Sequence, residues 1–205
     1  MYKGERFNSI SHLTGAVAGL LGLVILVVFA VRQAEPLKIL SVSIYGTTLL
    51  FLYIVSTLYH SMRGKAKKAL RRLDYIAIYL LIAGSYTPFI LVSLRETWGW
   101  PGFGIIWGLA VFGIILEILT HEGPRFLPVV IYLMMGWSML LALNPLLRVL
   151  TVTGFTWLLI GGLFYTVGVI FFSLSRWVRH SHGIWHLFVL AGSITHYFTI
   201  LYYVV

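Results

Sequence analysis

Apolar positions in this chain come in long unbroken runs. They show neither the period of a half-buried strand nor that of a surface helix. An α-helix needs about 20 apolar residues to cross the roughly 30 Å hydrocarbon core of a bilayer. Seven runs approach or exceed that length: 10–31, 37–60, 73–94, 102–120, 126–143, 153–175 and 183–205. The fifth has the least definite end, because Asn144-Pro145 interrupts it. The pattern predicts an all-α integral membrane protein, a seven-transmembrane-helix bundle forming one domain over residues 1–205.

Composition agrees. The 205 residues are 60% hydrophobic and 10% charged, with a mean hydropathy of +0.93. A soluble domain carries about 25% charged residues, so lipid is the expected solvent. With no cysteine, disulfides and thiolate metal ligands are excluded, and any metal must be held by His, Asp or Glu. The net charge of +9 is no nucleic-acid signal, because the basic residues sit in short connections between apolar runs. The first run is longer than a signal-peptide core of about 7–15 residues, and no small-residue cleavage site is evident, so no cleavable leader is expected.

Charge also sets the orientation. Across seven spans, 11 of the 15 Lys and Arg fall on the side of the N-terminus. Arg32, Lys38, Arg95 and Arg148 fall on the other. Basic residues stay inside, which puts the N-terminus in the cytoplasm and the C-terminus outside. The connection 64–73 is either a topology signal or a short cationic interfacial helix against anionic headgroups. Small residues (Gly15 and Gly19, Gly104 and Gly108, Gly161 and Gly168) are expected to let helices approach closely. Pro88 is expected to kink the third span.

Ionisable groups inside apolar spans are costly and ask for a reason. His12, His60, His121, His180, His182 and His186 all fall near cytoplasmic span ends. His196 lies deeper, roughly 15 Å past His186 along a helix. Glu5, Asn8 and Asp74 join the first group at the same depth. The pair His182-x-x-x-His186 puts two imidazoles on one helix face, where both can bind one metal; the alternative is two interfacial histidines. His60 is a candidate third ligand. Ser56, on the same face of the second span as His60, either hydrogen-bonds a water or substrate oxygen or bonds back to its own helix. Three imidazoles with one open position match catalytic zinc. Asp74 then serves as the neighbouring carboxylate that orients or deprotonates water, as a helix N-cap, or as both. Glu117 is assigned no chemistry, His121 and His180 are read as interfacial, and His196 as a packed polar residue with a possible substrate contact.

Taken together, Glu5-x-x-Asn8-x-x-x-His12, Ser56-x-x-x-His60, Leu73-Asp74-Tyr75 and His182-x-x-x-His186, with His196 beyond, resemble the progestin and adipoQ receptor family, and most closely its bacterial hemolysin III-like branch. The resemblance spans nearly the whole chain. It implies seven helices with a cytoplasmic N-terminus and one zinc ion on His60, His182 and His186, with Asp74 reaching it through water. It also implies kinship with zinc-dependent ceramidases. The chain departs from the receptors in a short region before the first span and a shorter connection before Asp74. The function expected first is a zinc-dependent hydrolase of lipid amides or esters serving membrane lipid homeostasis, with Asp74 and Ser56 catalytic. A non-enzymatic sensor of membrane state with structural zinc comes second, and a pore-forming hemolysin third. The expected partners are membrane lipids, with a lipid or fatty acid in the bundle.

Overall fold

The computed structural model describes residues 4–120, 125–175 and 177–205. The described residues are helical almost throughout and contain no strand. Seven α-helices follow in order: α1 Arg6–Arg32, α2 Pro36–Ser61, α3 Gly64–Pro88, α4 Gly99–Leu119, α5 Phe126–Trp137, α6 Leu143–Leu174 and α7 Ser181–Tyr203. Pro36 occupies the first turn of α2, where its missing N–H costs nothing.

Among the described residues, six continuous helical stretches are long and apolar enough to cross a membrane. This differs from seven separate runs in one place. Residues Phe126–Leu174 form a single 49-residue stretch. It contains a 3-10 segment, Ser138–Ala142, and a break at Thr151, where φ is 61° and ψ 171°. The polar interruption at Asn144-Pro145 does not end a helix: both residues lie in the first turn of α6, where proline is tolerated. The cationic connection 64–73 is no separate element either, because its alanines and long basic side chains are good helix formers and α3 runs from Gly64 straight into the apolar core. Pro88 does disturb its helix: the chain widens into a π-turn at Phe89–Ser93, with Leu94 N–H bonded to Phe89 O at 2.7 Å.

The helices close into a ring in which α1 packs against both α2 and α7, and α6 against α7. Apolar side chains of α1 such as Leu20, Leu21, Val24 and Val28 point outward, as a lipid-facing surface requires. The core gathers Leu26, Val42, Tyr45, Leu49, Leu52 and Tyr53 with Leu146 and Ile200. Close approach is real at Gly15, where a Cβ would lie 2.7 Å from the Tyr53 ring. It is absent at Gly104 and Gly108, around which nothing lies within 4 Å. There α4 turns Gly102, Ile106, Ala110 and Gly113 inward, leaving Gly104 and Gly108 on the opposite face.

Candidate metal centre

The end of α2 and the start of α7 meet beside the start of α1. His60 lies in the last turn of α2, and His182 and His186 in the first two turns of α7. The start of α7 is fixed by Ser181, whose hydroxyl donates to Phe171 O on α6 at 2.7 Å. The i, i+4 spacing then stacks the two α7 imidazoles on one face, ring centroids 4.8 Å apart. One nitrogen from each of His60, His182 and His186 falls within 4.8 Å of the others. His60 and His186 are each 2% exposed.

The opposite ring nitrogens show which atoms are free to bind. His60 Nδ1 is 2.6 Å from Glu5 Oε2. A carboxylate only accepts, so Nδ1 carries the proton and Nε2 presents its lone pair. His186 Nδ1 lies 3.2 Å from Asn8 O and 3.3 Å from Ser11 Oγ. A carbonyl also only accepts, so Nδ1 donates there and Nε2 again is free. The Nε2 atoms of His60 and His182 are 3.3 Å apart. Two imidazole nitrogens bound tetrahedrally to one zinc at about 2.0–2.1 Å would be about 3.3 Å apart. Three imidazoles, two of them held by acceptors at the far nitrogen, fit a divalent ion that favours nitrogen ligands.

Glu5 is the pivot of this outer layer. Besides His60 it takes a hydrogen bond from Asn8 Nδ2 at 2.9 Å and an ion pair from Lys67 Nζ at 2.7 Å. Partial burial disfavours its charge, but the hydrogen bonds from His60, Lys67 and Asn8 outweigh that and hold the carboxyl well below the usual carboxylate range. The motif residues Glu5 and Asn8 are thereby tied to His60 and His186. Ser11 and Lys67 act in the same layer. Sequence reading did not single out either, although Lys67 stands in the conspicuous basic run and Ser11 three residues after Asn8.

A small cavity of about 30 Å³ abuts the histidines, lined by His12, Ser56, Asp74, His182 and His186 with Leu52, Ile78, Trp185 and Val189. Asp74 lies within α3, well past its start at Gly64, and therefore caps no helix. Ser56 stands within hydrogen-bonding reach of the Asp74 carboxyl. His12 lies stacked on His186 at 3.6 Å with 13° between planes, and neither of its ring nitrogens has a partner. His196 is not part of this group: it sits deeper on α7, with Nε2 at 3.1 Å from Leu158 O. His180 starts α7 in the left-handed region, at the rim of an outer cleft shared with Glu5 and His60. His121 lies outside the described residues. Glu117 is buried against Arg125 at 2.9 Å, and the Arg125 guanidinium covers the Tyr75 ring at 3.5 Å.

Residues 1–197 match the family model described as haemolysin-III related. Hemolysin-3 of Bacillus cereus is 42% identical over 203 residues, 98% of this chain and 92% of that one. The Hemolysin-3 homolog of Bacillus subtilis (strain 168) is 41% identical over 204 residues, covering 99% and 95% of the two chains. The human monocyte to macrophage differentiation factor is 34% identical over 171 residues, 78% of this chain and 68% of that one. With its membrane-spanning helices and buried histidine cluster, this multi-pass cell-membrane protein belongs to the haemolysin-III-related family, kin to the progestin and adipoQ receptors.

Proposed function

We propose that this protein is a zinc-dependent hydrolase of lipid amides or esters. The observation that carries the reading is the meeting of His60, His182 and His186 beside a small cavity that Asp74 and Ser56 line together with His182 and His186. His60, His182 and His186 would hold a divalent ion, which would supply Lewis acidity and a nucleophilic water near neutral pH. The protein's own groups do the rest. The Asp74 carboxylate takes a proton from the attacking water as the new C–O bond forms. It returns that proton to the leaving nitrogen or oxygen as the C–N or ester C–O bond breaks, so a fatty acid and an amine or alcohol result. The Ser56 hydroxyl orients Asp74. Leu52, Ile78, Trp185 and Val189 keep bulk water out and continue into a larger apolar cavity that suits an acyl chain.

The same reading takes the Phe126–Leu174 stretch as two crossings. Its 49 residues would run roughly 74 Å if straight, more than twice a hydrocarbon core of about 30 Å. With seven crossings, the distribution of basic residues supports a cytoplasmic N-terminus and a metal centre on the same side.

Elemental analysis of purified protein should give one zinc per chain, lost in His60→Ala, His182→Ala and His186→Ala. Metal-loaded protein should release fatty acid from some member of a broad amide and ester panel, and Asp74→Asn should stop turnover while keeping the metal. Metal without any turnover would favour a staple that joins α2 to α7 in a sensor, a reading supported by His60 and His182 lying on different helices. The hemolysin names of the relatives suggest lysis instead. Dye leakage from liposomes carrying the protein would favour that reading.

A further inference from the structure

Three cavities follow one another through the bundle. The metal pocket shares Leu52, Ile78, Trp185 and Val189 with a cavity of about 110 Å³. That cavity shares Ser85, Tyr86, Trp137 and His196 with a third of about 50 Å³. The walls of the second and third cavities are mostly apolar, and their hydroxyl groups are engaged within the protein. Ser85 donates to Ile82 O, Tyr86 to the carbonyls of Met135 and Gly136, and Tyr132 to Tyr75 O. Thr166 donates to Gly162 O and accepts from Trp137, and Tyr165 pairs with Ser193.

His196 is the exception. Its Nε2 faces Leu158 O at 3.1 Å, and a carbonyl only accepts, so Nε2 holds the proton and Nδ1 is a bare acceptor. That Nδ1 is buried with no partner, the one such side-chain atom on the walls of the second and third cavities among the described residues. The ring cannot easily turn to satisfy it. It lies flush on α6 at Gly161, where a Cβ would come within 2.1 Å of His196 Cδ2, and Tyr165 meets it edge-on. A buried acceptor fixed in an apolar wall calls for an O–H or N–H from whatever fills the cavity.

We propose that His196 is a hydrogen-bonding subsite for a lipid chain bearing a hydroxyl remote from its carbonyl end, and that the protein prefers such chains to plain alkyl ones. The proposal rests on the reading of the metal centre as the place where the carbonyl reacts. From His186 to His196 is roughly 15 Å of helix, about half of a 30 Å hydrocarbon core and so the depth of one acyl chain. A chain with its carbonyl at His60, His182 and His186 therefore reaches His196 well along its length, far from a hydroxyl next to the carbonyl.

Oleate and ricinoleate differ by one mid-chain hydroxyl and make the test. Binding to purified protein is read from the fluorescence of the cavity tryptophans, Trp137 and Trp185. The wild type should hold ricinoleate about fivefold more tightly, the worth of one net hydrogen bond. In His196→Leu the two should bind alike, with oleate affinity kept. Gly161→Ala, which forces the ring from its seat, should also erase the preference, so the test survives if one variant does not fold. Equal binding by the wild type overturns the proposal, and so does a preference that persists in both variants. If neither fatty acid binds, the subsite falls and the lipid-chain cavity with it. Metal-dependent fatty-acid release, measured separately, tells that failure from failure of the hydrolase reading.

Discussion

Replacing Glu5 by Gln removes one negative charge from behind His60 while keeping the side chain's size. In the native protein Glu5 Oε2 accepts from His60 Nδ1 at 2.6 Å, and Lys67 anchors the other oxygen at 2.7 Å. This bond is charge-assisted, fixes the tautomer of His60 and raises the basicity of its free Nε2. Losing such an outer partner weakens metal affinity about 10–100-fold, or roughly 1.4–2.7 kcal/mol. Glu5 is 23% exposed, so water partly replaces the lost charge, and the effect should fall near the lower end, about tenfold. Competition with a chromophoric chelator, using detergent-solubilised protein, gives the affinity directly. The metal-free variant should unfold at close to the wild-type temperature, because the exchange leaves the core untouched. Lys67→Met should weaken the metal by a smaller factor in the same direction. An affinity within twofold of wild type for Glu5→Gln, with folding intact, would refute the claim that Glu5 supports the ligand.

The remaining expectations concern metal and packing. Chelation should lower the melting temperature of the wild type in proportion to RT ln(1 + [metal]/Kd), and leave a His182→Ala/His186→Ala double variant unmoved, as seen by scanning fluorimetry. Gly84→Ala should destabilise the protein by about 1–3 kcal/mol, since its Cβ would meet Thr48 Oγ1 at 2.0 Å and Thr48 Cβ at 3.0 Å. Gly108→Ala, with open space around it, should change stability by no more than about 0.5 kcal/mol, and denaturant titration of the two side by side checks the contrast.

What could be read from sequence followed from depth and helical period. Apolar run lengths located the membrane helices, and the i, i+4 spacing of His182 and His186 required a shared face whatever the helix neighbours. His60 could be assigned a matching depth by counting crossings. The lateral order and rotation of helices leave no such trace. For that reason the bond from Glu5 to His60 and the contacts of Asn8 and Ser11 with His186 were not legible: they join positions 55 and 175–178 residues apart. Helix α3 begins well before the apolar run 73–94, because charged residues interrupt an apolar run without interrupting a helix. For the same reason Asp74 was open to reading as a cap, although it lies within α3.

The ligands on α7 and their supports within α1 are far apart in the chain. Asn8 leaves the ribosome 178 residues before His186, yet they touch at 3.2 Å. No nascent chain that stops short of α7 can assemble this metal centre. Ion uptake therefore waits until α7 has been inserted beside α1, and a bound ion would mark a chain in which these two helices have met.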